Sequence, residues 1–270
     1  LAAAGLGKLK ENKLIKNIAG TFDSPVKWEK DFKGDDEYIC PGVAGRYFKN
    51  VTNKESPSWL QQRLKAIGLR PISALVDITN YITYDLGRPL HIYDADKIKG
   101  NLKMRYAKQN ETCLTLDEEN RECKSDMIVI ADEQQLHGIG GIMGGLDSGC
   151  SLDTKNVFLE VALFDPITVT KAGRHLKLQS DARYRFERGI DATSIEWGVQ
   201  AATKMILDLC GGEVSKTVQT NVLDNKKTKI DFNTAKIMSL GGVEISNAKQ
   251  KSILESLGFS ILEKNNIFYI

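Results

Sequence analysis

Two uninterrupted apolar runs limit the kind of sheet this chain can build. Residues 127–131 (MIVIA) and 156–164 (NVFLEVALF) lack the polar alternation of a strand with one wet face. Runs of this length and texture suit strands buried on both faces. The second run carries a carboxylate, Glu160, between Phe158-Leu159 and Val161-Ala162. By alternation Glu160 shares a face with Phe158 and Ala162. A buried carboxylate without partners is costly, so such a residue is paired or belongs to a site. On these residues alone both readings stay open: a salt bridge, for instance to an arginine of residues 183–188, or a functional carboxylate.

Helical punctuation surrounds these runs. Ser56 and Pro57 start a helix that Gly68 ends, with Leu60, Leu64 and Ile67 on one face. A second helix is expected over residues 73–86, with Leu75, Val76, Thr79 and Ile82 on one side. Gly87 and Pro89 stop it, so His91 is expected on an exposed loop. Residues 43–51 and 102–108 read as strands, and residues 117–120 as a hairpin turn. Pro166 opens a helix that runs to about His175. Asp191 is expected to cap a long helix that ends at Gly211-Gly212. A charged linker at residues 225–229 then precedes a short helix, a Gly241-Gly242 turn, a helix over residues 246–257 and a hairpin through Asn265-Asn266.

Residues 138–145 (GIGGIMGG) fail the dinucleotide spacing G-x-G-x-x-G, and no helix signal follows them. They read either as turns or as a flat backbone wall with free N–H groups, on which an aromatic ring can lie. Arg174, His175, Lys177, Arg183, Arg185 and Arg188 make the densest basic stretch. It is either a surface paired with Asp181, Glu187 and Asp191 or a contact for RNA phosphates and unstacked bases. No nucleophilic triad pattern stands out. The five cysteines form no C-x-x-C pair and read as free thiols in a reducing cytoplasm. The three histidines lack zinc spacing. A net charge of +2 excludes a dedicated, strongly basic nucleic-acid binder. No apolar run is long enough to span a membrane. The ends, a start at Leu1 without Met and a stop inside an apolar run, suggest a piece of a longer protein.

Taken in order and spacing, residues 80–94 (NYITYDLGRPLHIYD), 138–145, 158–164 (FLEVALF) and 178–189 (LQSDARYRFERG) resemble the editing module of the β subunit of bacterial phenylalanyl-tRNA synthetase. The resemblance covers residues 41–212 and extends more weakly over 213–270. It implies an α+β fold: a mixed β-sheet editing domain with flanking helices, then part of a small α/β, winged-helix-like module. Residues 1–40 are expected to be a remnant of a preceding domain plus a linker, 41–212 the editing domain, and 213–270 a linker and truncated small domain. The implied activity is hydrolysis of tyrosine wrongly attached to tRNA-Phe. A non-catalytic structural or RNA-binding module of the same synthetase is the alternative.

By the same resemblance Glu160 accepts the phenol of tyrosine and Gly144, with Gly145 beside it, forms the wall against the ring. Asn80 lines the pocket, and His91 orients the ester near the terminal ribose. Ser180 holds the attacking water or the carbonyl, and Ala182 leaves room for the substrate. Arg174, Arg183 and Arg185 face tRNA. Arg183 departs from the family's usual small residue, so it either crowds the entrance or grips a phosphate. No cofactor or metal is implied within this piece. The parent enzyme would be a cytoplasmic α2β2 assembly with an α subunit that uses ATP and Mg²⁺, and no membrane is involved.

Overall fold

In the computed structural model the described residues are 5–8, 17–220, 228–264 and 267–270. Residues 17–220 make one unit and the described residues from 228 onward belong to a second. The first runs β1 (Trp28–Asp31), β2 (Val43–Lys49), α1 (Ser58–Ala66), α2 (Ala74–Asp85), β3 (His91–Asp94), β4 (Leu102–Tyr106), β5 (Glu111–Leu114), β6 (Asn120–Cys123), β7 (Ile128–Ala131), β8 (Leu136–Ile139), β9 (Met143–Gly144), β10 (Val157–Ala162), α3 (Pro166–His175), α4 (Asp181–Phe186), α5 (Ser194–Cys210), β11 (Glu213–Val214) and β12 (Val218–Thr220). The fold is mixed α+β, as expected.

Two sheets organise this unit. One has the order β1-β4-β7-β8-β9; the other has the order β11-β2-β10-β3, with β12 also paired to β2. β10 is buried at every residue, which explains an apolar string broken only by Glu160. Its two faces serve different cores. Phe158 and Ala162 join a cluster with Trp28, Leu102, Met104, Ile128 and Val129 from the first sheet. Val157, Leu159 and Val161 join the helical cluster that includes Leu60 and Leu64 of α1, Leu75, Ile78 and Ile82 of α2, and Val199, Ala202 and Ile206 of α5. The second sheet is therefore covered by helices on one side and by the first sheet on the other.

Several expectations need correction. Residues 24–40 are not a linker: β1 pairs in parallel with β4, Trp28 opposite Leu102, and Trp28, Phe32, Ile39 and Cys40 are core residues. Residues 213–220 likewise belong to the first unit, through the pairing of β11 and β12 with β2. Ser56 does not cap α1, whose N-cap position is Pro57; its hydroxyl donates to the buried Asp77 instead. On α2 Val76 and Thr79 are half-buried, and the fully covered face is Leu75, Ile78 and Ile82. Thr193 holds the N-cap position of α5, and the Asp191 carboxylate accepts from the Thr193 N–H at 2.9 Å.

The second unit contains β13 (Asp231–Asn233), α6 (Lys236–Gly241), α7 (Asn247–Ser256), β14 (Leu262–Lys264) and β15 (Ile267–Tyr269), with sheet order β13-β15-β14. Gly242, at φ 66°, ends α6, and Ser246 caps α7. The expected hairpin is the β14–β15 pair. Its tip at residues 265–266 and most of the expected linker, residues 225–227, lie outside the described residues.

Candidate functional site

The site forms where β10 runs between β2 and β3. Glu160 lies opposite Gly45 on one side and His91 on the other. Cross-strand partners present their side chains on the same face, here toward the first sheet. Gly45 leaves the space that Trp28 and Phe158 fill: a Cβ there would come within 2.6 Å of Trp28 Nε1 and 2.8 Å of the Phe158 ring.

Glu160 is 6% exposed. Its Oε2 accepts a hydrogen bond from the Tyr93 hydroxyl. Burial pushes its carboxyl up to about 7, although the Tyr93 bond and the Arg88 charge pull the other way. Arg88 is fully buried and does not ion-pair with Glu160 directly. Its guanidinium donates to Ala162 O at 2.5 Å and to Pro89 O at 3.0 Å. Burial lowers Arg88 to about 9, with Glu160 and Asp191 opposing. Of the two readings open in the sequence, a salt bridge to the 183–188 arginines is excluded: Arg183 pairs with Glu187, and the partner of Glu160 is a phenol.

His91 is not on an exposed loop. It opens β3, half-buried, with its ring edge-on to Tyr93 at 4.5 Å between centroids. Its Nε2 is sealed from solvent and has no hydrogen-bond partner among the described residues. Burial, with the nearby His137, drops its pKa to about 4, so the imidazole is neutral at pH 7. A buried ring nitrogen without a partner is uncommon in a fold.

The glycine segment packs against this ring. A Cβ on Gly144 would lie 2.4 Å from His91 Cε1 and 2.6 Å from Nε2. Gly144 pairs with Gly138 across β8 and β9, and Gly141 makes the connecting turn at φ 70°. The Gly145 N–H donates to His137 O at 2.7 Å. The segment turns, as one reading expected; the N–H groups of Gly140 and Gly145 are not free but donate to Ile128 O and His137 O, and the Gly144 face lies against the His91 ring. His137 is buried behind that wall with Nε2 2.7 Å from Asp132 Oδ2. Burial would raise the Asp132 carboxyl, but His137 and the N–H groups of Gln134, Lys99 and Gln135 hold it low.

Ser180 is the N-cap of α4. Its Oγ accepts from Arg183 N at 3.0 Å and donates to Ile142 O at 2.6 Å. This ties α4 to the glycine turn, two residues from Gly144. Ala182 is half-buried against the first core cluster. Asn80 is half-buried on α2 and makes no hydrogen bond to these residues.

The basic stretch divides. Arg183 is 4% exposed, so it is not the RNA-facing cation expected from the sequence. Its guanidinium lies where a Gly173 side chain would be, 2.2 Å from a built Cβ, and donates to Glu187 at 3.0 Å and Leu178 O at 2.6 Å. Arg185 is half-buried, stacked 4.7 Å over Tyr84 and 3.5 Å from Asp181. Arg188 pairs with Glu187 at 2.7 Å, while Arg174 is exposed.

Sequence reasoning missed Tyr93, His137 and Arg88. Tyr93 was detectable, since it stands two residues from His91 on one strand and so on its face. The five cysteines are unpaired thiols. Among the described residues no helix is long and apolar enough to cross a membrane.

The chain has relatives among known proteins. The B3/4 domain family model matches residues 39–211. Phenylalanine–tRNA ligase β subunits of Paramagnetospirillum magneticum and Ruegeria pomeroyi are each 46% identical over 97% of this chain, and that of Cereibacter sphaeroides is 47% identical over 97%. The chain spans about a third of these relatives, 32–33% of their length. An N-terminal fragment of the Pyrococcus horikoshii phenylalanyl-tRNA synthetase β-subunit aligns over 94% of this chain and 70% of that one, at 14% identity and a TM-score of 0.49. On the family model the chain belongs to the B3/4 domain family, and over most of its length it is similar to part of phenylalanine–tRNA ligase β subunits.

Proposed function

We propose that this chain carries the editing pocket of a phenylalanine–tRNA ligase, which hydrolyses the ester of tyrosine attached to tRNA-Phe. The observation that carries the reading is the Glu160 carboxylate: buried, held without a cation, and already hydrogen-bonded to a phenol. Tyrosine differs from phenylalanine by one hydroxyl, and an apolar pocket rejects an added hydroxyl by only roughly a hundredfold. A second pocket that requires the hydroxyl does better. A hydrogen bond to a charged acceptor is worth about 1.5–3 kcal/mol, and a benzyl ring in its place leaves a desolvated carboxylate oxygen unpaired.

The other groups have assignable roles. The His91 ring, packed on Gly144, forms one wall beside the substrate, and His91 is the candidate for orienting the ester end or the terminal ribose. Ser180 orients the region through Ile142, and Ala182 leaves room. A positioned water attacks the ester carbonyl carbon. The ester bond breaks, the ribose oxygen takes up a proton, and tyrosine leaves as the acid. An aminoacyl ester is already activated, so positioning and a small electrostatic push suffice. Ligation itself, with ATP, Mg²⁺ and phenylalanine, is assigned to an α subunit in an α2β2 enzyme. The exposed Arg174 and half-buried Arg185 are the candidates for tRNA contact.

The test is hydrolysis of tyrosyl-tRNA-Phe by the ligase with Glu160→Ala, beside phenylalanyl-tRNA-Phe as control. Loss of tyrosyl hydrolysis by at least tenfold is expected; unchanged turnover would favour a scaffold that edits nothing.

A further inference from the structure

We propose that Tyr93 is the positioning residue for Glu160: it fixes one carboxylate oxygen so that the other is presented to an incoming phenol. This rests on the editing reading above. Tyr93 and Glu160 stand on adjacent strands, Tyr93 opposite Phe158 and Glu160 opposite His91. The Tyr93 hydroxyl donates to Oε2. The tyrosine is 1% exposed, edge-on to His91 at 4.5 Å and to His137 at 6.1 Å between centroids. A ring packed this way does not swing aside without opening the core. Its hydroxyl therefore stays on Oε2 when a ligand arrives. Among the described residues no other side chain hydrogen-bonds to the Glu160 carboxylate, which leaves Oε1 as the oxygen assigned here to a second phenol.

The terminal torsion of a glutamate is soft and roughly two-fold. Bonding one oxygen to a rigid phenol removes that freedom before the ligand binds, and a preorganised acceptor binds better than a wandering one. The same bond favours the ionised carboxylate against the burial that opposes it. Tyrosine is recognised by a carboxylate that already holds one phenol and takes a second. Phenylalanine brings nothing to Oε1.

The opposite role for Tyr93 is that of an internal rival that the substrate must displace. Tyr93→Phe separates the two, since it removes only the hydroxyl. In the full-length ligase the KM for tyrosyl-tRNA-Phe hydrolysis should rise about tenfold with kcat little changed. Affinity for free L-tyrosine should fall by a similar factor while affinity for L-phenylalanine holds. Combined with Glu160→Ala, Tyr93→Phe should add nothing, because it acts through that carboxylate. Equal or tighter tyrosine binding overturns the inference, and so does equal loss of both amino acids, which would mean a merely structural hydroxyl. If Glu160→Ala abolishes tyrosyl hydrolysis and Tyr93→Phe is silent, only the role of Tyr93 falls. If Glu160→Ala is itself silent, the editing reading falls and this inference with it.

Discussion

Gly144 lies directly against the His91 imidazole, so close that a methyl group there would overlap the ring at 2.4 Å from Cε1. Because His91 is also backed by Tyr93, the ring has little room to retreat. Gly144 does not have a positive φ, so alanine would be tolerated by the backbone and penalised only by contact. Overpacking of this kind costs about 1–3 kcal/mol. Gly144→Ala is expected to fold with that loss and to slow tyrosyl-tRNA hydrolysis by more than tenfold. Denaturant titration and single-turnover hydrolysis check both halves; wild-type values in each would show the wall to be incidental.

Glu160 gives the stability a pH dependence of defined sign. Its carboxyl titrates near 7 in the fold against a usual value of 4.5. The contribution is therefore complete below about 4.5 and is lost as pH rises through 7. Arg88, lowered only to about 9, stays positive through this range, while Tyr93 and Cys40, both raised, stay neutral. His91 has the opposite sign, with stability lost as pH falls through about 4, but above 6.5 it is neutral whether folded or not. The window from 6.5 to 8 thus isolates Glu160. Relative to Glu160→Gln, the wild-type protein should lose about 1 kcal/mol across it. Tyrosine affinity should rise over the same window, as the acceptor ionises. Parallel pH profiles for the two proteins would place the titration elsewhere.

How much of this was legible depends on the range of each interaction. β10 was plain because burial on both faces writes an apolar string broken only by Glu160. β1 was not: Trp28–Asp31 is four residues long with three polar side chains, and its reason to be a strand is Leu102, far along the chain. His91 was misplaced for a related reason. The helix stop at Gly87 is local and was read correctly, but a strand starting four residues later exists only through its pairing with β10. Glu160 was anomalous from its neighbours alone, whereas its partner Tyr93 lies 67 residues away.

Ser180 has a dual attachment whose loss is measurable. Its hydroxyl caps α4 through Arg183 N and reaches Ile142 O on the glycine turn. Replacing a capping serine with alanine costs about 1 kcal/mol, and the unpaired Ile142 carbonyl adds to it. Ser180→Ala should therefore destabilise by about 1–2 kcal/mol and reduce hydrolysis, while Ser180→Thr restores both. Failure of threonine to rescue hydrolysis in a fully stable variant would separate the cap from the chemistry.

Arg183 and Arg174 look alike in the sequence, yet their substitutions should report on different properties. Arg183 threads under α3 because Gly173 has no side chain there, and its charge is answered by Glu187. Arg183→Ala leaves Glu187 with only the exposed Arg188 and removes a packed aliphatic stem. A partly buried pair broken on one side costs about 3 kcal/mol, discounted here because Glu187 is only half-buried and retains a second cation. A loss of about 2 kcal/mol is expected in denaturant, with the salt dependence of tRNA binding unchanged. Arg174→Ala, exposed at the end of α3, should leave stability within about 0.5 kcal/mol. If Arg174 contacts a phosphate, its loss lowers the slope of log affinity against log salt by about 1. The reverse pattern, a salt effect from Arg183 and a stability effect from Arg174, would mean that the arginine pocket opens when RNA binds.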